Sequence, residues 1–175
     1  MTHKPALPIP ESYWVVPGKL LAGEFPGRYD GTLTRQRLNH FLKLGVNAYV
    51  DLTKTSELPS YEPLLYEQAR IIGVEAVYAR FPIRDRGLPS TKLMKAILDN
   101  LDASVEAGRK VYLHCWGGVG RTGTAVGCYL VRHGMTGEQA VAQLAEWWTE
   151  SPKRAMYPRS PETDQQVKFI LNWKE

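Results

Sequence analysis

The sequence predicts an α/β fold, a sandwich of helices about a largely parallel sheet. Three observations carry that prediction. Apolar runs of strand length alternate with amphipathic segments of helix length through the middle of the chain. Glycines stand where those helical segments should stop. A strand at 110–115 runs straight into a glycine-rich turn that opens a further helix. The 175 residues suit one domain better than two, and 43% hydrophobic residues are enough for a single core. We therefore expect an irregular arm over residues 1–12 and one catalytic-sized domain over 13–175.

The elements follow in order. Residues 1–12 carry three prolines and little periodicity, which marks an irregular arm. Residues 13–16 and 19–22, on either side of Pro17-Gly18, read as two short strands in a hairpin-like arrangement. Leu38, Phe41, Leu42 and Leu44 put a helix over 32–44, closed by Gly45, and a short apolar strand follows over 46–52. Leu64, Leu65, Ala69 and Ile72 share one side of a helix over 63–72 that Gly73 ends, and 74–83 returns to strand character up to Pro82. Ser90 is a good N-cap for a helix carrying Leu93, Met94, Ile97, Leu98, Leu101 and Val105 to Gly108. After the strand at 110–115, helices are expected over about 121–132 and from Thr136, whose capping-box partner is Gln139, through Trp148. The last helix is expected from Pro161, capped by Ser160, to about Trp173.

Composition removes several classes of function. Two cysteines exclude a disulfide scaffold and a four-cysteine zinc site. His3, His40 and His133 have no metal-ligand spacing, so no metal is expected. No apolar run approaches the ~20 residues of a membrane span, and the N-terminus has no secretory-signal pattern. A monomeric cytoplasmic protein is the expectation. The net charge of +4 permits phosphate ligands, but acids interrupt the clusters at Arg84/Arg86 and Lys153/Arg154/Arg159. Nucleic acid is not expected as a partner.

The chemistry concentrates in His114-Cys115-Trp116-Gly117-Gly118-Val119-Gly120-Arg121-Thr122-Gly123. Between a strand and a helix N-terminus, unpaired backbone N–H groups make an anion site, and glycines let the backbone curl around a phosphate. A nucleotide-binding P-loop would need Lys where Arg121 stands. Cys115 opens the turn, where the helix terminus, converging amides and Arg121 should lower its pKa. Arg121 can present a planar fork to two phosphate oxygens, and the Thr122 hydroxyl can hydrogen-bond the sulfur. A nucleophile with donors matched to transition-state oxygens is what attack on phosphorus requires.

His-Cys-x-x-Gly-x-x-Arg-Thr resembles the signature of the cysteine-dependent protein tyrosine phosphatase superfamily, with every fixed position matched. The resemblance runs from about Trp14 to Trp173 and is nearest to the atypical dual-specificity branch. It implies a central twisted, mostly parallel sheet flanked by helices on both faces, with the catalytic loop at a strand's C-terminal end. It implies Cys115 as nucleophile and Asp85, thirty residues earlier on a loop after a strand, as the acid that protonates the leaving oxygen. The backbone of Trp116, Gly117, Gly118, Val119 and Gly120, with Arg121, would hold the phosphate oxygens. Gln166, or next to it Gln165, would orient the hydrolytic water. The implied substrate is a phosphorylated protein or small phosphomonoester. A dual-specificity protein phosphatase is the first reading, and a phosphoinositide or inositol polyphosphate phosphatase is the alternative. A non-catalytic phosphate-binding module is a rival from another class. Cys128 is assigned to the core, and Asp51 stands at the end of its strand as a candidate supporting residue.

Overall fold

The computed structural model describes residues 5–175. Strands β1 (Ser12–Val16) and β2 (Leu20–Gly23) form the expected antiparallel hairpin. They are followed by α1 (Gly31–Lys43), β3 (Val46–Asp51), α2 (Glu62–Ile72), β4 (Val77–Arg80) and α3 (Thr91–Glu106). The chain continues with β5 (Lys110–His114), α4 (Gly120–Arg132), α5 (Gly137–Trp148) and α6 (Asp164–Leu171). The sheet order is β1-β2-β5-β3-β4. All pairings except that of β1 with β2 are parallel, so the sheet is mostly parallel as expected.

Alternation along the strands divides the interior into two cores. Leu20, Ala22, Val50, Val111 and Leu113 face α3, α4, α5 and α6, where they meet Leu98, Leu101, Val126, Leu144 and Ile170. Leu21, Val46, Tyr49 and Tyr112 face α1 and α2, against Leu38, Phe41, Leu42 and Leu65. Cys128 lies fully inside the first core, where burial pushes its thiol pKa far up, so it packs as an apolar side chain. Trp148 is buried, and Trp147 packs at the rim against Tyr13 with ring centroids 5.7 Å apart.

Two elements depart from expectation. The strand expected over 74–83 is regular only over Val77–Arg80. Beyond it Phe81 and Ile83 still donate backbone N–H bonds to Asp51 and Leu52, carrying the chain along β3's end without continuous pairing. The final helix begins at Asp164, not at Pro161. Ser160 does not cap it because its hydroxyl donates to Val119 O at 2.7 Å. Thr163 caps instead, with Gln166 completing a capping box.

Candidate active site

Four parallel strands end on one edge of the sheet, and their C-terminal ends build the site. Gly23 ends β2 and Glu24 follows it, Thr53 and Glu57 follow β3, Ile83 and Asp85 follow β4, and Cys115 follows β5. Here a bowl of about 260 Å³ is lined by Asp85, Cys115, Trp116, Gly117, Val119, Gly120, Arg121, Tyr157 and Glu162. Cys115 is 3% exposed at its floor.

The loop's shape follows from where its carbonyls go. His114 Nδ1 donates to Cys115 O, Phe25 N to Trp116 O and Lys153 Nζ to Gly117 O. Ser160 Oγ donates to Val119 O and Thr124 Oγ1 to Gly120 O. With the carbonyls held outward, the peptide planes turn their N–H groups toward the bowl. Among the described residues, none of the backbone N–H groups of Trp116, Gly117, Gly118 and Val119 donates within the protein. Such a ring of free amides is an anion-binding nest. Gly118 is required twice over: its φ is +73°, and a Cβ there would stand 2.6 Å from Glu24 N.

His114 is wholly buried, and burial holds its pKa below the ordinary value of 6.5 despite the opposing charge of Asp51. A carbonyl can only accept, so the Nδ1 contact with Cys115 O fixes the tautomer with the proton on Nδ1. Nε2 then accepts from Tyr61 Oη at 2.7 Å. His114 therefore positions the loop and carries no proton in the bowl. Asp51, beside it in register, accepts from Thr53 N and Oγ1, Tyr78 Oη and Arg80 Nη2. Burial works against its charge, but the His114 ring and the Tyr78 and Thr53 hydrogen bonds hold its pKa below the usual carboxylate value.

Arg121 is buried, its side chain 1% exposed, and carboxylates surround its fork. Glu57 takes it end-on, Nη1 to Oε1 at 2.8 Å and Nη2 to Oε2 at 2.9 Å. Nη1 also donates to Ile83 O, and Nη2 to Asp85 Oδ1 at 3.2 Å. These four bonds use every Nη hydrogen, which leaves Nε–H on the edge that Asp85 shares. Although burial opposes its charge, Glu57, the Cys115 sulfur and Asp85 push the Arg121 pKa further up. Glu57 is lowered despite its burial, chiefly by the same hydrogen bonds. Nothing in the sequence around Glu57 marks it, because its partner lies 64 positions away.

The remaining expected residues fall close by. Asp85 sits in a tight turn closed by Gly87 N to Arg84 O, its side chain 62% exposed. Arg86 holds a positive φ of 58° there and pairs with Glu162 at 2.8 Å. Thr122 is fully buried, with Gly23 O 3.5 Å from its hydroxyl. Gln166 is also fully buried: Oε1 accepts from Glu162 N and Thr163 N, and Nε2 donates to Gly87 O at 3.3 Å. It thus ties α6 to the Asp85 loop. Gln165 is exposed.

The sequence model of the family described as Swiss Army Knife protein, DSP-PTPase phosphatase domain, matches residues 10–170. The chain belongs to this phosphatase family. Its membership places it in the cysteine-dependent protein tyrosine phosphatase superfamily, on the atypical dual-specificity branch. The phosphatase is 25% identical over 159 residues to the Arabidopsis thaliana phosphatidylinositol 3,4,5-trisphosphate 3-phosphatase and protein-tyrosine-phosphatase PTEN1, covering 90% of this chain and 36% of that one. It is 28% identical to the human dual specificity protein phosphatase CDC14A, covering 69% of this chain and 19% of that one. The chain therefore spans only about a third or less of these two relatives. The crystal structure of Tk-PTP superposes with a TM-score of 0.67 at 25% identity, covering 92% of each chain. Among the described residues no helix is long and apolar enough to cross a membrane.

Proposed function

We propose that the phosphatase hydrolyses phosphomonoesters through a phosphocysteine intermediate without a metal, and that its substrates are phosphorylated tyrosine and serine or threonine residues of proteins. The observation that carries the chemistry is the ring of free amides at Trp116–Val119 around the Cys115 sulfur, closed on one side by Arg121. A phosphoryl dianion bound there takes the amides on its equatorial oxygens and the Nε edge of Arg121. Asp85 occupies part of that edge, so an incoming phosphate competes with it and frees the carboxyl for the leaving oxygen. The Cys115 sulfur attacks phosphorus and the ester oxygen departs with the proton from Asp85. Water, activated by the same carboxylate acting as base, then cleaves the phosphorus–sulfur bond. Gln166 supports this cycle by holding the Asp85 loop, whereas the Thr122 hydroxyl, expected on the sulfur, is directed to Gly23 O and braces the start of α4 against the end of β2.

The protein substrate is favoured by the uncharged residues between Cys115 and Arg121 and by the pairing of the cations beyond them. Arg86 is engaged one-to-one by Glu162 and Arg159 by Asp164. A highly phosphorylated inositol ring would need such cations unpaired.

Hydrolysis of p-nitrophenyl phosphate in excess EDTA tests the chemical reading. The wild-type protein turns over, and Cys115→Ser loses activity by at least ~10³-fold while still binding tungstate. Activity that EDTA abolishes, or that survives in Cys115→Ser, excludes the mechanism. Turnover of phosphopeptides set against soluble inositol phosphates tests the substrate class.

A further inference from the structure

Beside the bowl, and sharing Trp116, Gly117 and Tyr157 with it, lies a second hollow of about 190 Å³. Its walls are apolar or aromatic: Tyr29, which is 77% exposed, Trp116, Tyr157, Leu58 and Pro59. Its polar part is a charge cluster in which three cations share one carboxylate. Glu24 receives Arg28 at 3.3 Å, Arg37 at 3.0 Å and Lys153 at 2.6 Å. Burial opposes the Glu24 charge, yet these partners, Lys153 foremost, hold its pKa below the usual value. One negative charge cannot neutralise three positive ones, so the cluster is left cationic at a place continuous with the phosphate bowl.

The three cations are not equivalent. Arg37 is inward, also donating to Pro26 O and Phe25 O. Lys153 is 22% exposed and braces the catalytic loop through Gly117 O. Among the described residues the Arg28 side chain donates only to Glu24 Oε1 and Gly27 O, keeps further N–H groups of its five, and is 41% exposed. It is the open member, and it lines the hollow together with Tyr29.

We propose that this hollow binds an acidic side chain flanking the phosphorylated residue of a peptide substrate, its carboxylate on Arg28 and its methylene stem against Tyr29, Trp116 and Leu58. The proposal rests on the protein-phosphatase reading above and names which phosphoproteins suit it. Apolar walls beside a cationic base match an acidic side chain, which has a hydrocarbon stem and an anionic end. A polyhydroxylated ring would leave hydroxyl groups unpaired against the same walls.

The test compares tyrosine phosphopeptides in which one flanking position at a time, the two nearest on each side, carries Glu or its neutral isostere Gln. At one of these positions the wild-type kcat/KM should favour Glu by about fivefold, and the ratio should fall toward one at high salt. Arg28→Gln should abolish the preference, and Arg28→Lys should restore part of it. Each ratio is taken within one variant, so a general loss of activity through Glu24 cancels. Equal rates on Glu and Gln peptides, or a preference that survives Arg28→Gln, overturn this proposal alone. Failure to hydrolyse any phosphopeptide, with inositol phosphates turned over instead, overturns the protein-substrate reading and this proposal with it.

Discussion

Arg121 shows how one side chain can be held and yet remain usable. Glu57 grips its far end by two parallel bonds, which orients the guanidinium plane, while Asp85 touches it by one bond from an exposed position. The single exposed contact is the one a phosphate can displace, because the bidentate buried pair is much the harder to break. Asp85 therefore stands at the exposed rim of the bowl. If it is the proton donor, Asp85→Ala should cut kcat on alkyl phosphates by roughly 100-fold or more and on p-nitrophenyl phosphate, whose phenolate leaves readily, far less. Losses of equal size on the two substrate types would take Asp85 out of the acid role. The sequence singles out Cys115 and Arg121 because both lie in one turn of fixed spacing, the family resemblance adds Asp85, and the fold brings all three to one bowl. Glu57 and Tyr61 were not legible. Their partners, Arg121 and His114, are brought to them only by the parallel pairing of β3 with β5, which no local pattern records.

At the scale of elements, the Asp85 loop and the start of α6 form one unit. Arg86 pairs with Glu162, Gly87 O accepts from Gln166, and Gln166 itself completes the Thr163 cap. The sequence holds two overlapping start signals here, Ser160-Pro161 and Thr163 with Gln166. Local rules favoured the first because Pro suits the first helical turn. The fold uses the second because the Ser160 hydroxyl is drawn to the catalytic loop at Val119. A glutamine expected only to orient water is therefore also a cap and a tether. Gln166→Ala should lower stability by about 1–2 kcal/mol, from the lost cap and the stranded amides of residues 162 and 163. If the tether is its main service, formation and hydrolysis of the phosphocysteine, followed by rapid quench, should slow together, since Asp85 serves both. Selective accumulation of phosphocysteine would instead assign Gln166 to the attacking water.

Over the whole molecule, the parallel topology places its catalytic edge above a set of buried ionisable groups, and these give the protein a definite response to acid. The alternation of elements and the strand leading to Cys115 were legible from periodicity. The order β1-β2-β5-β3-β4, which sets β5 between β2 and β3, was not, because it is decided by contacts between segments far apart in the chain. That order buries His114 between Tyr61, Phe25 and Tyr112, with Asp51 in register beside it. His114, Asp51, Glu57 and Glu24 all have pKa values below their ordinary ones. In each case the unfolded chain takes up protons at a higher pH than the folded one, so stability is present above the unfolded pKa and is lost as pH falls. The histidine contributes first, below its ordinary value of 6.5, and the carboxylates contribute below 4.5 and 3.8. Calorimetry should therefore find Tm falling in two stages on acidification, the earlier beginning near pH 6.5. His114→Asn, which has nothing to protonate there, should be less stable at neutral pH but should lose the earlier stage while keeping the later. A Tm that rises between about pH 7 and about pH 5 would mean that the ring is charged in the folded protein, and an earlier stage undiminished in His114→Asn would mean that another group carries it. With a charged ring Nε2 would donate to Tyr61 Oη while Nδ1 still donated to Cys115 O, so only the Tyr61 bond would reverse.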